Sequence, residues 1–131
     1  MAKGMEIREA HFPGRPPIDA YGAGGFRFAD MSHRGSILCL PSGVHGWDAT
    51  DADDINAETL ARVFAESDGI EVLLVGMGDE FRRVPPDLQA ALRERGIVTD
   101  AMSTGSAVRT YNVLLAEDRA VAAALIAVDE P

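Results

Sequence analysis

From residue 70 onward the chain alternates continuous apolar runs with segments of helical period. Residues 70–75 (IEVLLV) are rich in Val, Leu and Ile and read as a buried-type strand. A helix is expected over residues 86–95. It has Pro86 at its start, Leu88 and Leu92 four apart, and Gly96 just past its end. Residues 97–99 form another short strand signal. Thr104 or Ser106 then caps a helix that buries Val108, Tyr111 and Leu115 at i, i+3 and i+7. Residues 121–128 leave two readings open. Ala122, Ala123 and Ala124 favour helix, and periodicity does not separate a short buried strand from a buried helix.

The front half has the period of strands. Residues 18–21 follow the Pro16–Pro17 pair as a short extended piece, and Gly24–Gly25 signals a turn or bulge. Phe26, Arg27 and Phe28 alternate apolar and charged, as a half-buried strand does. Residues 36–40 (SILCL) are a continuous apolar run. Pro41, Ser42 and Gly43 supply turn chemistry, so residues 44–47 return as a hairpin partner. Asp51, Asp53 and Asp54 precede Asn56, a good N-cap. Ala57, Leu60, Ala61 and Phe64 then share one helical face, with Gly69 as the stop. No linker or internal repeat divides the chain. Residues 1–131 therefore read as a single domain with an ordered core of about residues 18–128. The β/α alternation predicts an α/β fold with parallel strands and right-handed crossovers. The β-rich front adds a small antiparallel layer.

Composition narrows the function classes. The chain has 131 residues, 47% of them hydrophobic, and a formal net charge of −9. Nucleic-acid affinity comes mainly from clustered Lys and Arg. Here Lys3 is the only lysine, and the sole adjacent arginines are Arg82–Arg83. No nucleic-acid partner is expected. The acidity serves solubility or a basic protein partner. Cys39 is the only cysteine, so an intrachain disulfide is impossible. In its apolar run it is expected to behave as a small hydrophobe. Residues 1–10 (MAKGMEIREA) have neither the apolar region of a secretory signal nor the composition of a transit peptide. No apolar stretch approaches the ~18 residues of a membrane span. A soluble protein of the bacterial cytoplasm, without membrane insertion, is expected.

Familiar catalytic motifs fail one by one. Gly22–Gly25 and Gly76–Gly78 each begin like a dinucleotide loop, but Arg27 and Phe81 stand where the last glycine belongs. There is no phosphate-binding lysine loop and no nucleophile elbow. His11, His33 and His45 lack metal-ligand spacing. The acidic run at residues 48–58 lacks the glycine and the final glutamate of a calcium loop. Neither a metal nor a cofactor is expected, and no catalytic set is recognisable.

Two segments keep chemical interest. Gly76, Met77 and Gly78 directly follow a strand, where open α/β sheets bind ligands. Their alternative role is a turn that needs permissive dihedrals. Residues 102–112 also follow a strand and enter a helix. Ser103, Thr104 and Ser106 bring hydroxyls to that end, and Arg109 lies about one turn in. If the two strands are parallel neighbours, the loops meet at one edge and form a crevice for a small anionic ligand, a carboxylate or phosphate. Alternatively Thr104 caps, Arg109 pairs with Asp79 or Glu80, and Tyr111 packs. Asn112 is a mediocre helix residue, which points to a hydrogen-bonding role. That role is either in a site or in tying the helix to the hairpin.

The order and spacing of several short anchors carry a resemblance over roughly residues 18–128. They are Tyr21 with Gly25–Phe26; Gly35–Ser36 with Pro41 and Trp47; Leu73–Leu74 with Gly76 and Gly78; Gly96–Ile97; and Met102, Thr104, Ala107, Arg109, Thr110, Tyr111, Asn112 and Arg119, followed by residues 121–126. The chain resembles the small α/β family of adipogenesis-associated Mth-domain proteins, whose eukaryotic relatives include a mitochondrial respiratory complex I assembly factor. Family members often have a small polar residue where Met77 stands, and glycine where Asp118 precedes Arg119. The resemblance implies a three-layer arrangement around a mixed central sheet, with a strand at residues 121–128. It supplies no catalytic residues. It implies a non-catalytic protein-binding or assembly role, linked to respiratory complex I, with Trp47 and Tyr111 as possible interface anchors. The rival is a binder or enzyme using the Gly76–Gly78 and Thr104–Asn112 crevice. A monomer or weak homodimer is expected.

Overall fold

The computed structural model describes residues 11–131. The reading of residues 1–10 as free of a leader lies outside the described residues. The elements run β1 (His11–Phe12), β2 (Ala20–Gly22), β3 (Gly25–Phe28), β4 (Met31–Arg34), β5 (Ser36–Leu40), β6 (Gly43–Trp47), α1 (Ala61–Ala65), β7 (Val72–Gly76), α2 (Pro86–Glu94), β8 (Val98–Met102), α3 (Thr104–Ala116) and β9 (Val121–Leu125). Single 3-10 turns lie at Ala52–Asp54 and Ser67–Gly69.

A mixed six-stranded sheet has the order β1-β6-β5-β9-β7-β8, and β2-β3-β4 form a separate antiparallel sheet. Strands β9, β7 and β8 are parallel, while β1, β6, β5 and β9 pair antiparallel. The β7–α2–β8 and β8–α3–β9 crossovers run in opposite directions along the sheet. Right-handed connections therefore place α2 and α3 on opposite faces. The layers are α1 with α2, the six-stranded sheet, and α3 with the small sheet.

Alternation along each strand divides the core in two. Leu38, Leu40, Leu73, Val75, Ala122 and Ala124 pack with Leu60, Val63, Leu88 and Leu92 on one face. Ile37, Cys39, Leu74, Ala123 and Leu125 pack with Val108, Tyr111, Phe26 and Phe28 on the other. The alanine run is the central strand β9. It pairs with β5 and β7, and Ala122, Ala123 and Ala124 are all 0% exposed. Pairing on both edges and packing on both faces override alanine's helix preference. The small side chains fit between two covering layers.

Three local expectations are corrected. The helix expected from Ala57 is mostly a turn, and α1 begins only at Ala61. The Thr59 carbonyl accepts the Trp47 indole N–H at 2.8 Å. The Val63 N–H bonds the Leu60 carbonyl at 2.9 Å instead, a tighter turn than an α-helix makes. Neither Thr104 nor Ser106 caps α3; the Ser103 hydroxyl does, accepting the Ser106 N–H. The sequence does not signal strands β1 and β4, because HF and MSHR carry no apolar alternation. Both small-sheet hairpins turn through residues of positive φ, Ala23–Gly24 and Ala29–Asp30, the backbone sign of tight hairpin turns.

Candidate functional site

The carboxyl ends of β7 and β9 do meet the start of α3, and they are bonded shut. The Thr104 hydroxyl accepts the Gly78 N–H at 3.0 Å and donates to the Ile126 carbonyl at 2.7 Å. The Thr104 N–H donates to the Gly78 carbonyl at 3.1 Å, and the Ile126 N–H to the Gly76 carbonyl at 3.0 Å. A side chain on Gly76 would come within 3.0 Å of the Thr104 backbone. Thr104 is 0% exposed and Met77 is a buried part of the core. Gly76, Met77, Gly78 and Thr104 therefore converge as expected, with their backbone groups turned to one another.

The crevice outside this clasp has a volume of about 580 Å³. It is lined by Asp51, Asp53, Asp79, Glu80 and Asp129, with Arg82 as its only cation among the described residues. Arg82 pairs with Asp53 and, at 3.6 Å, with Glu80. Five carboxylates give it the wrong sign for the anionic ligand expected there. Arg109 is not in the lining. It is exposed and reaches the Ser106 hydroxyl at 3.4 Å; no ion pair joins it to Asp79 or Glu80 among the described residues. Ser103 is exposed at the same helix start.

The remaining nominated residues lie elsewhere. The Asn112 side chain bonds Ile18 both ways, accepting its N–H at 2.9 Å and donating to its carbonyl at 2.8 Å. It ties α3 to the segment leading into β2. Tyr111 is 1% exposed, with its hydroxyl in hydrogen-bond reach of Arg15 and Cys39. Burial raises the Tyr111 pKa above the ordinary phenol value and pushes the Cys39 thiol up to about 12. Cys39 thus stays protonated at neutral pH, as an inert core group. Trp47 is 7% exposed and its indole N–H is spent on Thr59. Trp47 and Tyr111 are therefore core residues, not exposed anchors.

A second concavity has little signal in the sequence. It lies on the outer face of β2–β3–β4, holds about 460 Å³, and is lined by Gly22, Gly25, Arg27, Ser32, His33 and Arg34 among others. The Arg27 guanidinium donates to the Ser32 hydroxyl at 3.1 Å. No ion pair reaches Arg27 or Arg34 among the described residues. Asp129 and Pro131 form part of its wall. Burial lowers the His33 pKa, against a smaller opposing effect of its bond with the Ser36 backbone. The alternation of Phe26, Arg27 and Phe28 was the one available signal, and it marks Arg27 only as solvent-facing. Arg34 was hidden in the unexpected strand β4.

The family described as “Protein of unknown function (DUF498/DUF598)” matches residues 18–126. The chain belongs to this family. An uncharacterized protein of Rhodobacter capsulatus is 43% identical over 93% of this chain and 93% of its own length. NADH dehydrogenase [ubiquinone] 1 alpha subcomplex assembly factor 3 of Mus musculus is 31% identical over 93% of this chain, and the match spans 66% of that relative's length. Among solved structures, a protein described as an outer membrane protein from Bartonella henselae is 64% identical, with a TM-score of 0.87, over 91% of this chain and 100% of that one. A Bordetella pertussis protein described as a Mth938-like domain is 29% identical, with a TM-score of 0.76, over 88% of each chain.

Proposed function

We propose that this member of the DUF498/DUF598 family is a protein-binding domain of the assembly-factor kind, acting by contact rather than catalysis and serving respiratory complex I. The observation that carries the reading is the 31% identity over 93% of the chain to a protein named as a complex I assembly factor. The geometry supports it. The strand-end rim spends its amides on Thr104, Ile126 and Gly76, which leaves outward-facing side chains as its means of recognition. Those are Asp79, Glu80, Phe81, Ser103 and Arg109; Phe81 is 79% exposed. An exposed aromatic that follows the carboxylates of Asp79 and Glu80 suits a basic segment of another protein, and Arg109 adds a second anchor of the kind that dominates interfaces. The whole of residues 1–131 is taken as one such domain, a cytoplasmic monomer or weak homodimer.

Capture of the tagged chain from its own cells tests this, run beside Phe81→Ala and Arg109→Ala. Recovery of complex I subunits is expected with the parent chain and is reduced in both variants. A strain lacking the protein is expected to accumulate partly assembled complex I on native gels. Intact complex I in that strain, together with no respiratory subunit in the capture, refutes the proposal.

A further inference from the structure

We propose that the outer face of β2–β3–β4 is a binding site for a small soluble phosphate-bearing molecule, held by Arg27 and Arg34 over a floor of glycine. The strand registers build it. Arg27 lies opposite Ser32, and Gly25 lies opposite both Arg34 and Gly22. Directly opposed residues share a face of an antiparallel sheet, and alternate residues along a strand return to it. Both guanidiniums and the Ser32 hydroxyl therefore stand on the same surface as Gly22 and Gly25. Glycine at position 25 is obligatory, because a Cβ there would collide with the His33 carbonyl. The floor is bare of side chain at Gly25 and bounded at Gly22 by the Pro131 ring, with a cation on either side.

Charge sets the ligand class. The chain has 21 acidic and 12 basic side chains, yet neither of these arginines is neutralised by a carboxylate among the described residues. Each guanidinium offers donors in a fixed fork. A single carboxylate satisfies one fork. A phosphoryl group, with three acceptor oxygens and a charge of about −1.5 to −2, engages two. The Ser32 hydroxyl adds a further donor beside Arg27. Asp129 on the wall opposes an anion and sets a limit on affinity. The net charge of −9 repels an anionic membrane surface, which favours a soluble phosphate over a lipid headgroup.

The test is a two-dimensional amide NMR titration of the full chain with inorganic phosphate and pyrophosphate at fixed ionic strength. Saturable shifts are expected at residues 20–27 and 32–35, stronger for pyrophosphate. Arg27→Gln and Arg34→Gln are each expected to weaken binding about tenfold or more, the loss of a charge-assisted bond. Asp129→Asn tightens it, and Arg93→Gln on α2 leaves it unchanged. Both arginines are exposed, so folding is expected to survive. Should a Gln variant lose spectral dispersion, the matching Arg→Lys variant keeps the charge, removes the fork and still weakens binding. Three outcomes overturn the proposal: no saturable shift at millimolar ligand, equal shifts with chloride, or undiminished binding in the arginine variants. Flotation with phosphatidylglycerol vesicles, without a response to pyrophosphate, overturns the assignment to a soluble ligand.

Discussion

The strand-end rim of the large sheet and the outer face of the small sheet are built from the same materials and reach opposite ends. Each combines two glycines with a hydroxyl, and each has arginine nearby. At the rim, the Thr104 hydroxyl and the glycine backbones satisfy one another. On the small sheet, β-pairing occupies the backbone, Arg27 reaches the Ser32 hydroxyl, and no carboxylate neutralises Arg27 or Arg34 among the described residues. Glycine beside a hydroxyl at a strand end thus describes a clasp as well as a cradle. What separates them is whether the polar groups find partners within the chain.

The sharpest way to break the comparison is Thr104→Val. It keeps the shape and leaves a buried N–H at Gly78 and a buried carbonyl at Ile126 unpaired. Each such group costs about 1–3 kcal/mol, so a loss of about 3 kcal/mol in urea unfolding is expected. Thr104→Ser keeps both bonds and loses a buried methyl, worth about 1 kcal/mol. A stable Thr104→Val protein would mean that the clasp is dispensable and the rim is open to ligands after all. By contrast, Arg27→Gln and Arg34→Gln are expected to change stability by less than about 0.5 kcal/mol, the usual range for surface positions.

Asn112→Ala comes next. It removes two hydrogen bonds to Ile18 in a part-buried setting. Water can reach part of what is lost, so about 1–2 kcal/mol is expected. Asn112→Asp retains the acceptor for the Ile18 N–H and sets an oxygen against the Ile18 carbonyl. Its expected loss is no smaller than that of alanine. A neutral Asn112→Ala would remove the structural account of this residue and return it to the candidate recognition set.

These residues also show what the sequence could and could not reveal. Strands β5 and β7 and helix α2 were legible because apolar runs, Pro86 and Gly96 are local signals. That the two glycine- and hydroxyl-bearing loops converge followed from strand order. That they fill each other did not, because whether the Thr104 hydroxyl meets Gly78 or solvent is decided across 26 residues of separation. The sign of the crevice was missed for the same reason. Asp51, Asp53 and Asp129 are brought beside Asp79 by folding. Arg34 was missed because β4 is strand only by pairing with β3, with no hydrophobic alternation of its own. The start of α1 went astray because Trp47 claims a carbonyl from 12 residues away.

Two turn positions sharpen the comparison with smaller effects. Asp118 follows α3 at φ 60°, and Ala23 joins β2 to β3 at φ 53°. A side chain in the left-handed region costs on the order of 1 kcal/mol, which glycine escapes. Asp118→Gly and Ala23→Gly are each expected to add about 0.5–1 kcal/mol, less the greater entropy of the unfolded chain. Ala23→Gly lies beside the proposed phosphate site and leaves its charges unaltered. It should raise the melting temperature without changing pyrophosphate affinity. A coupled loss of affinity would mean that the hairpin's shape, rather than its arginines, makes the site.

The smallest effect is the pH dependence contributed by His33. Its folded pKa is lowered by burial, so the unfolded chain takes up a proton near the ordinary value of about 6.5 while the folded chain does not. Below that pH the unfolded state binds more protons, and stability falls as pH falls. The contribution is fully present above the unfolded pKa and is lost on the way down to the folded one. Comparing the parent with His33→Gln between about pH 7.5 and 5.5 isolates the effect. The parent is expected to lose melting temperature more steeply. His33 lies opposite Phe26, so its ring stands on the face of the small sheet away from Arg27 and Arg34. Saturating pyrophosphate is therefore expected to leave the parent's slope unchanged. A flattened slope would place the phosphate on the face that carries His33, and not on the face that carries Arg34.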